Sequence, residues 1–129
     1  MGAFTDLEVW KKARILRNNI TELVKSFPNE ERYRLVDQII RSSRSIGNNI
    51  AEGHGRFHYL DVSRFLINAR GSAAETIDHL IIAFDNKLID ESVLKNLKGR
   101  LRGMYENDKW IYRIFKKGSG TIDAVLTDL

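Results

Sequence analysis

Two histidines four residues apart, His54 and His58, stand beside Glu52 and Asp61, and all four side chains are of types that ligate divalent metals. Their spacing argues against a shared site. They fall at and beyond a Gly53–Gly55 break, so no single regular helix face presents them together, and His79 is isolated from them. The chain contains no phosphate loop of the G-x-x-x-x-G-K-[ST] kind, no G-x-S-x-G nucleophile turn and no Glu-x-x-His pairing for a di-iron bundle. With no cysteine and no nucleophile set beside a base, these residues predict neither an enzyme nor a cofactor or metal protein.

The remaining chemistry is charge. Lys11, Lys12, Arg14 and Arg17 form one basic group, Lys95, Lys98, Arg100 and Arg102 a second, and Lys109, Arg113, Lys116 and Lys117 a third. Charged faces of this kind ordinarily do no more than solvate a helix. Acids are scarce beside them, however: between Asp90-Glu91 and the tail only Glu106 and Asp108 occur. Such faces, repeated in an oligomer, would hold RNA or DNA through its phosphates with little reading of sequence.

A second unusual stretch runs from Gln38 to Gly53, where three serines, two asparagines and Gly47 replace good helix formers. At helical spacing Gln38, Arg41, Ser45, Asn48 or Asn49, and Glu52 line one stripe, about 100° around the helix from its apolar seam. Two readings stand side by side. In one, small side chains let this helix approach its neighbours, where Ala13, Ala69 and Ala73 are also small, while the amides and Arg41 satisfy buried polar groups and Arg41 pairs with Glu75. In the other, Arg41 and Arg44 bind phosphates or a partner's carboxylates.

Positioning these residues requires helices. Apolar residues recur at spacings of three and four almost throughout, and Pro28 is the sole proline. A first helix starts after Thr5 or Asp6, with Thr5 and Glu8 as a capping box, and buries Val9, Ala13, Leu16, Ile20, Leu23 and Phe27. A second runs from Pro28 or Asn29 with the seam Val36, Ile39, Ser43, Ile46 and Ile50, and stops at Gly53 and Gly55. Asp61 caps a third, whose inward positions are Phe65 or Leu66, Ala69, Ala73, Ile77, Leu80 and Phe84, ending at Asp85-Asn86-Lys87. Asp90 caps a fourth with the seam Leu94, Leu97, Leu101, Met104, Asp108, Ile111 and Phe115. Short connections make these an all-α, antiparallel up-and-down four-helix bundle over residues 1–117, followed by a linker at Gly118-Ser119-Gly120 and a short tail, 118–129 in all. On the fourth helix Gly99, Gly103 and Trp110 fall outside the seam, which suggests a second packing surface and most simply another copy of the chain.

The length of 129 residues suits one domain with an ordinary core. The longest apolar run, Leu80 to Phe84, is far too short to span a bilayer, and the first residues lack the pattern of a secretion signal, so a cytoplasmic protein is expected. The formal charge is +4, but residues 1–117 hold all 21 basic residues and all acids except Asp123 and Asp128, so the bundle alone carries +6.

The residues Phe4, Leu7, Val9-Trp10, Ala13, Phe27-Pro28, Glu31, Tyr33, Leu35, Gln38-Ile39, Arg41, Ser45-Ile46, Asn49-Ile50-Ala51-Glu52-Gly53, Phe65, Ala69, Gly71-Ser72 and Glu75 together resemble the four-helix-bundle proteins encoded in intervening sequences of bacterial 23S ribosomal RNA genes. The likeness runs from residue 4 to about 117, with the final helix matched by pattern alone. It implies a bacterial protein that assembles as a ring-like homopentamer. Relatives of that family include the accessory variability-determinant proteins of diversity-generating retroelements, which implies nucleic acid, or a protein partner such as a reverse transcriptase, as what is bound. The Gly118–Leu129 tail lies outside the likeness.

Overall fold

A computed structural model describes residues 3–56 and 58–105. Every regular element among them is helical: α1 (Glu8–Leu23), α2 (Asp37–His54), α3 (Tyr59–Asp85) and α4 (Glu91–Tyr105), joined by short turns. The expected fourth-helix residues Asp108, Lys109, Trp110, Ile111, Arg113 and Phe115, with Lys116, Lys117 and the tail from Gly118, lie outside the described residues.

The helices pack in antiparallel order. Trp10 and Ala13 of α1 lie against Gly47 of α2, and Ser42 and Ser45 of α2 meet Thr76 and Ser72 of α3, so residue numbers rise on one helix as they fall on its neighbour. Across the α1–α4 seam Leu23 lies near Val93 and Leu97, Asn19 near Arg100, and Leu16 near Met104. Among the described residues the pairing of α2 with α3 is the most extensive, and of the four neighbouring pairings that of α1 with α4 is the smallest. One continuous core results, drawn from Ile20 on α1, Ile39, Ile46 and Ile50 on α2, Leu66 and Leu80 on α3, and Leu101 on α4, all at most 2% exposed. Fully burying each such side chain contributes about 1.5–3 kcal/mol.

The seams follow the 3.6-residue period, with four departures. Helix α1 has no Thr5–Glu8 capping box, because Thr5 sits inside a 3-10 turn, Phe4–Asp6, and the cap position belongs to buried Leu7. The turn is closed instead by Asp6, whose carboxylate accepts the Ala3 N–H at 3.1 Å. The second helix is regular only from Asp37. A 3-10 turn, Asn29–Glu31, and a π turn, Arg32–Val36, precede it. The wide turn shifts the buried face, so that Leu35 is buried and Val36 half-buried.

Gly53 does not stop α2; it lies buried within it, and Gly55 is the capping residue. On α3 the helix begins at Tyr59, with His58 at the cap and Asp61 in its first turn, and at its end Ala83, not Phe84, faces the core. Phe84 is 37% exposed. Helix α3 closes in a Schellman arrangement at the expected residues: the Leu88 N–H donates to the Ala83 carbonyl and the Lys87 N–H to that of Phe84, with Lys87 at φ 61°. Asp90 then caps α4, its Oδ1 accepting the Val93 N–H at 2.9 Å and the Ser92 hydroxyl at 2.7 Å.

Candidate nucleic-acid interface

Helix α1 distributes its basic residues over two sides. Lys12 lies on the side toward α4, in a cleft of about 300 Å³ lined also by Ile15, Leu16, Arg100, Gly103 and Met104. Arg14 and Arg17 lie on the side toward α2, and both guanidinium groups cover the Trp10 ring, 5.8 and 5.9 Å from its centroid. Trp10 is itself fixed: Phe4 meets it edge-on at 5.3 Å, and a Cβ at Gly47 would stand 3.6 Å from its Nε1, so the indole lies directly on the α2 backbone. Cation–π attraction thereby orders two long cations with no ion-paired acid among the described residues.

Not all the sequence's basic candidates are equally available. Lys11 pairs with Glu8 at 3.4 Å and Lys95 with Glu91 at 3.2 Å, both on the surface. Arg100 joins α4 to α1: with the Asn19 amide turned so that its oxygen faces the guanidinium, Asn19 accepts hydrogen bonds of 3.0 and 3.2 Å from it. Lys98 is half-buried, and Arg102 is exposed but engaged in an interaction of its own. Lys109 and Arg113 fall outside the described residues.

The polar stripe of α2 divides into two layers. Ser45 lies within 2.8 Å of the Ser72 hydroxyl, and Asn49 donates its amide to the Ser45 carbonyl (2.8 Å) and hydroxyl (3.0 Å). Gln38, Arg41 and Glu52 are outside. Arg41 does not pair with Glu75; its Nε donates to Asp37 one helical turn back at 3.2 Å, and its side chain is 79% exposed. The reason is rotation: an (i, i+4) carboxylate lies on the same face, whereas Glu75 extends from α3 toward His79 Nε2 at 3.3 Å. Glu52 likewise pairs with Arg56, whose guanidinium covers Phe65.

A buried polar layer that composition alone did not single out lies beneath the stripe. Thr76 Oγ1 lies 2.8 Å from both the Ser42 hydroxyl and the Ser72 carbonyl, sharing its single proton between these acceptors. Ser42 is 4% exposed and Thr76 fully buried. The available signal was Ser42-Ser43 set between Ile39 and Ile46 at core spacing. His79 is also buried, and its Nδ1 has no hydrogen-bond partner among the described residues.

The model of the 23S rRNA-intervening sequence protein family matches residues 5–107. The chain belongs to this family. No curated protein matches it significantly. In this intervening-sequence protein Ser45 meets Ser72 and Gly53 lies against Phe65 across the α2–α3 interface, while Asn49 holds Ser45 from within α2.

His54 and His58 stand at the end of α2 and the start of α3, while Glu52 and Asp61 pair with Arg56 and Arg64. Among the described residues no three His, Asp or Glu side chains gather where they could hold a metal ion, and no helix is long and apolar enough to cross a membrane. Gly99 and Gly103 face open space, where an added Cβ would meet nothing within 4 Å, and Trp110 is outside the described residues. A second outward surface lies on α3, where Leu60 (62% exposed), Ile67, Gly71, Ala74 and Ile82 follow one helical stripe with the exposed Arg64 and Asp78 among them.

Proposed function

We propose that this protein is a non-enzymatic helical bundle that assembles with copies of itself and binds RNA through its basic helix faces. The observation that carries the reading is the ordering of Arg14 and Arg17 on Trp10 with, among the described residues, no carboxylate paired to either. Guanidinium groups held at the surface in this way are pre-organised for phosphate. The family's description supports RNA from the ribosomal operon as the ligand to try first. Self-assembly, as the pentamer suggested by the resemblance, is supported by the exposed apolar residues Leu60, Ile67 and Ile82 on α3 and the bare glycines of α4.

The test is light scattering after size-exclusion chromatography, with and without nuclease, followed by binding of the 23S ribosomal RNA fragment at increasing salt. A multiple of the chain mass that survives nuclease, and retention of the RNA that falls steeply with salt, support the reading. Absence of salt-sensitive retention at micromolar protein overturns RNA binding. The exposed stripe on α3 equally suits an adaptor that grips a partner protein such as a reverse transcriptase, and a partner that co-purifies after nuclease treatment would favour that reading instead.

A further inference from the structure

Between α1 and α2 lies a surface cleft of about 360 Å³ lined by Arg17, Asn18, Thr21, Arg44 and Asn48. All five side chains are polar, two are cationic, and no carboxylate is among them. Arg44 is exposed and, unlike Arg41, Arg56 and Arg64 with their Asp or Glu partners, takes no ion-pair or hydrogen-bond partner among the described residues. Arg17 reaches the cleft from the opposite wall, with its guanidinium steadied over Trp10. The Thr21 hydroxyl donates to the Arg17 carbonyl at 2.9 Å, so its proton is spent, and Asn18 and Asn48 remain as the neutral donors. Two helices held by packing thus place two cations and two amides around one opening, where a single bound anion accepts from both walls.

We propose that this cleft seats one backbone phosphate of a single-stranded RNA, with Arg17 and Arg44 as its two cationic clamps and the Asn18 and Asn48 amides as additional donors. A phosphodiester suits the two-walled cleft because its two non-bridging oxygens diverge tetrahedrally and can take one guanidinium from each wall. The ligand's identity as RNA rests on the function proposed above; the anion site itself rests on the cleft.

The experiment measures binding of a labelled, mixed-sequence oligoribonucleotide at several salt concentrations to the full chain and to Arg17→Gln, Arg44→Gln, the double variant, and Lys25→Gln. Lys25 is an exposed cation paired with Glu22, so its loss changes net charge equally without touching the cleft. Each arginine variant is expected to bind about tenfold more weakly. Its slope of log affinity against log salt should fall by roughly 0.7, the value for one single-strand phosphate. The double variant should lose little more slope than either single one, because both arginines hold the same phosphate. Lys25→Gln should change affinity less than about twofold.

An equal loss in Lys25→Gln, or independent losses in the two arginine variants, overturns the site while leaving RNA binding intact. Displacement of RNA by polyglutamate with the same dependence on Arg44 overturns the choice of phosphate. If the unaltered protein binds no RNA, the proposed function fails and the cleft is judged with inorganic phosphate by NMR. Saturable shifts of the Asn18 and Asn48 side-chain amides that vanish in Arg44→Gln then uphold an anion site, and their absence rejects it.

Discussion

A Cβ placed on Gly53 of α2 would stand 3.1 Å from the Cβ of Phe65 on α3 and 3.5 Å from the Val62 carbonyl oxygen. The two helices therefore cross so closely that a Cβ here would force its neighbour to give by a few tenths of an ångström, and the obstructing atom is anchored to the α3 backbone and cannot swing aside. Gly53→Ala gains about 1 kcal/mol in helix propensity but must separate the crossing or strain it, at a cost of about 1–3 kcal/mol. Net destabilisation is expected, with a melting temperature below that of the parent. Gly99→Ala has the same propensity gain and open space around it, so it should be stabilising by about 0.5–1 kcal/mol. Equal shifts in the two variants would show that the crossing is not tight.

The hydroxyls of Ser42 and Thr76 meet at 2.8 Å inside the α2–α3 interface, with almost no access to water. Thr76→Val leaves Ser42 with only its longer contact to the Ile39 carbonyl, 3.3 Å away, and should cost about 1–2 kcal/mol. Ser42→Ala should cost a similar amount. The double variant removes both polar groups and should be destabilised by less than the sum of the two. A denaturant-melt cycle with a coupling of about 0.5–1.5 kcal/mol would establish the contact, and strict additivity would dismiss it.

The helical seams were legible because burial of Val9, Ala13, Leu16 and Ile20, and of Leu97, Leu101 and Met104, is imposed by the 3.6-residue period alone. What period cannot express is a change of period. The π turn at Arg32–Val36 and the 3-10 turn at Phe4–Asp6 shifted Leu35 and Leu7 into positions that a regular helix denies them. For the candidate site, the sequence names both Arg17 and Arg44 as cations that could meet phosphate, but not that they share one cleft. That Arg44 faces Arg17 depends on how α1 and α2 cross, which depends in turn on Trp10 lying on Gly47. Arg41 was misplaced for the same reason, since a polar stripe gives an angle around the helix and not the depth of each side chain.

Asp90 supplies a pH dependence whose sign follows from its cap. The Ser92 hydroxyl, and then the Val93 N–H, hold its carboxyl below the ordinary value of 3.8. The folded chain thus binds fewer protons there than the unfolded chain does. The stabilisation is fully present above the unfolded value and is lost as pH falls through the lowered one. Asp90→Asn keeps a capping side chain without the ionisation, so its deficit against the parent should be visible at neutral pH and vanish as pH falls through the lowered value. Thermal melts across that range decide this. A deficit that persists in acid would show that shape, not charge, makes the cap.

Arg41 and Asp37 form a pair at 3.2 Å with 79% and 45% of their side chains exposed. Exposed pairs of this kind contribute about 0–1 kcal/mol, because solvent screens the attraction and two long side chains lose freedom in making it. Arg41→Ala should therefore lower the melting temperature of the single chain by no more than about 4 °C. This small cost is what makes the variant informative. A loss of oligomer mass or of RNA retention in a chain that still melts near the parent temperature would assign Arg41 to a surface that recognises something outside its own bundle. A large fall in melting temperature would require Arg41 to hold a contact that one bundle does not contain, and light scattering would then show whether a second copy supplies it.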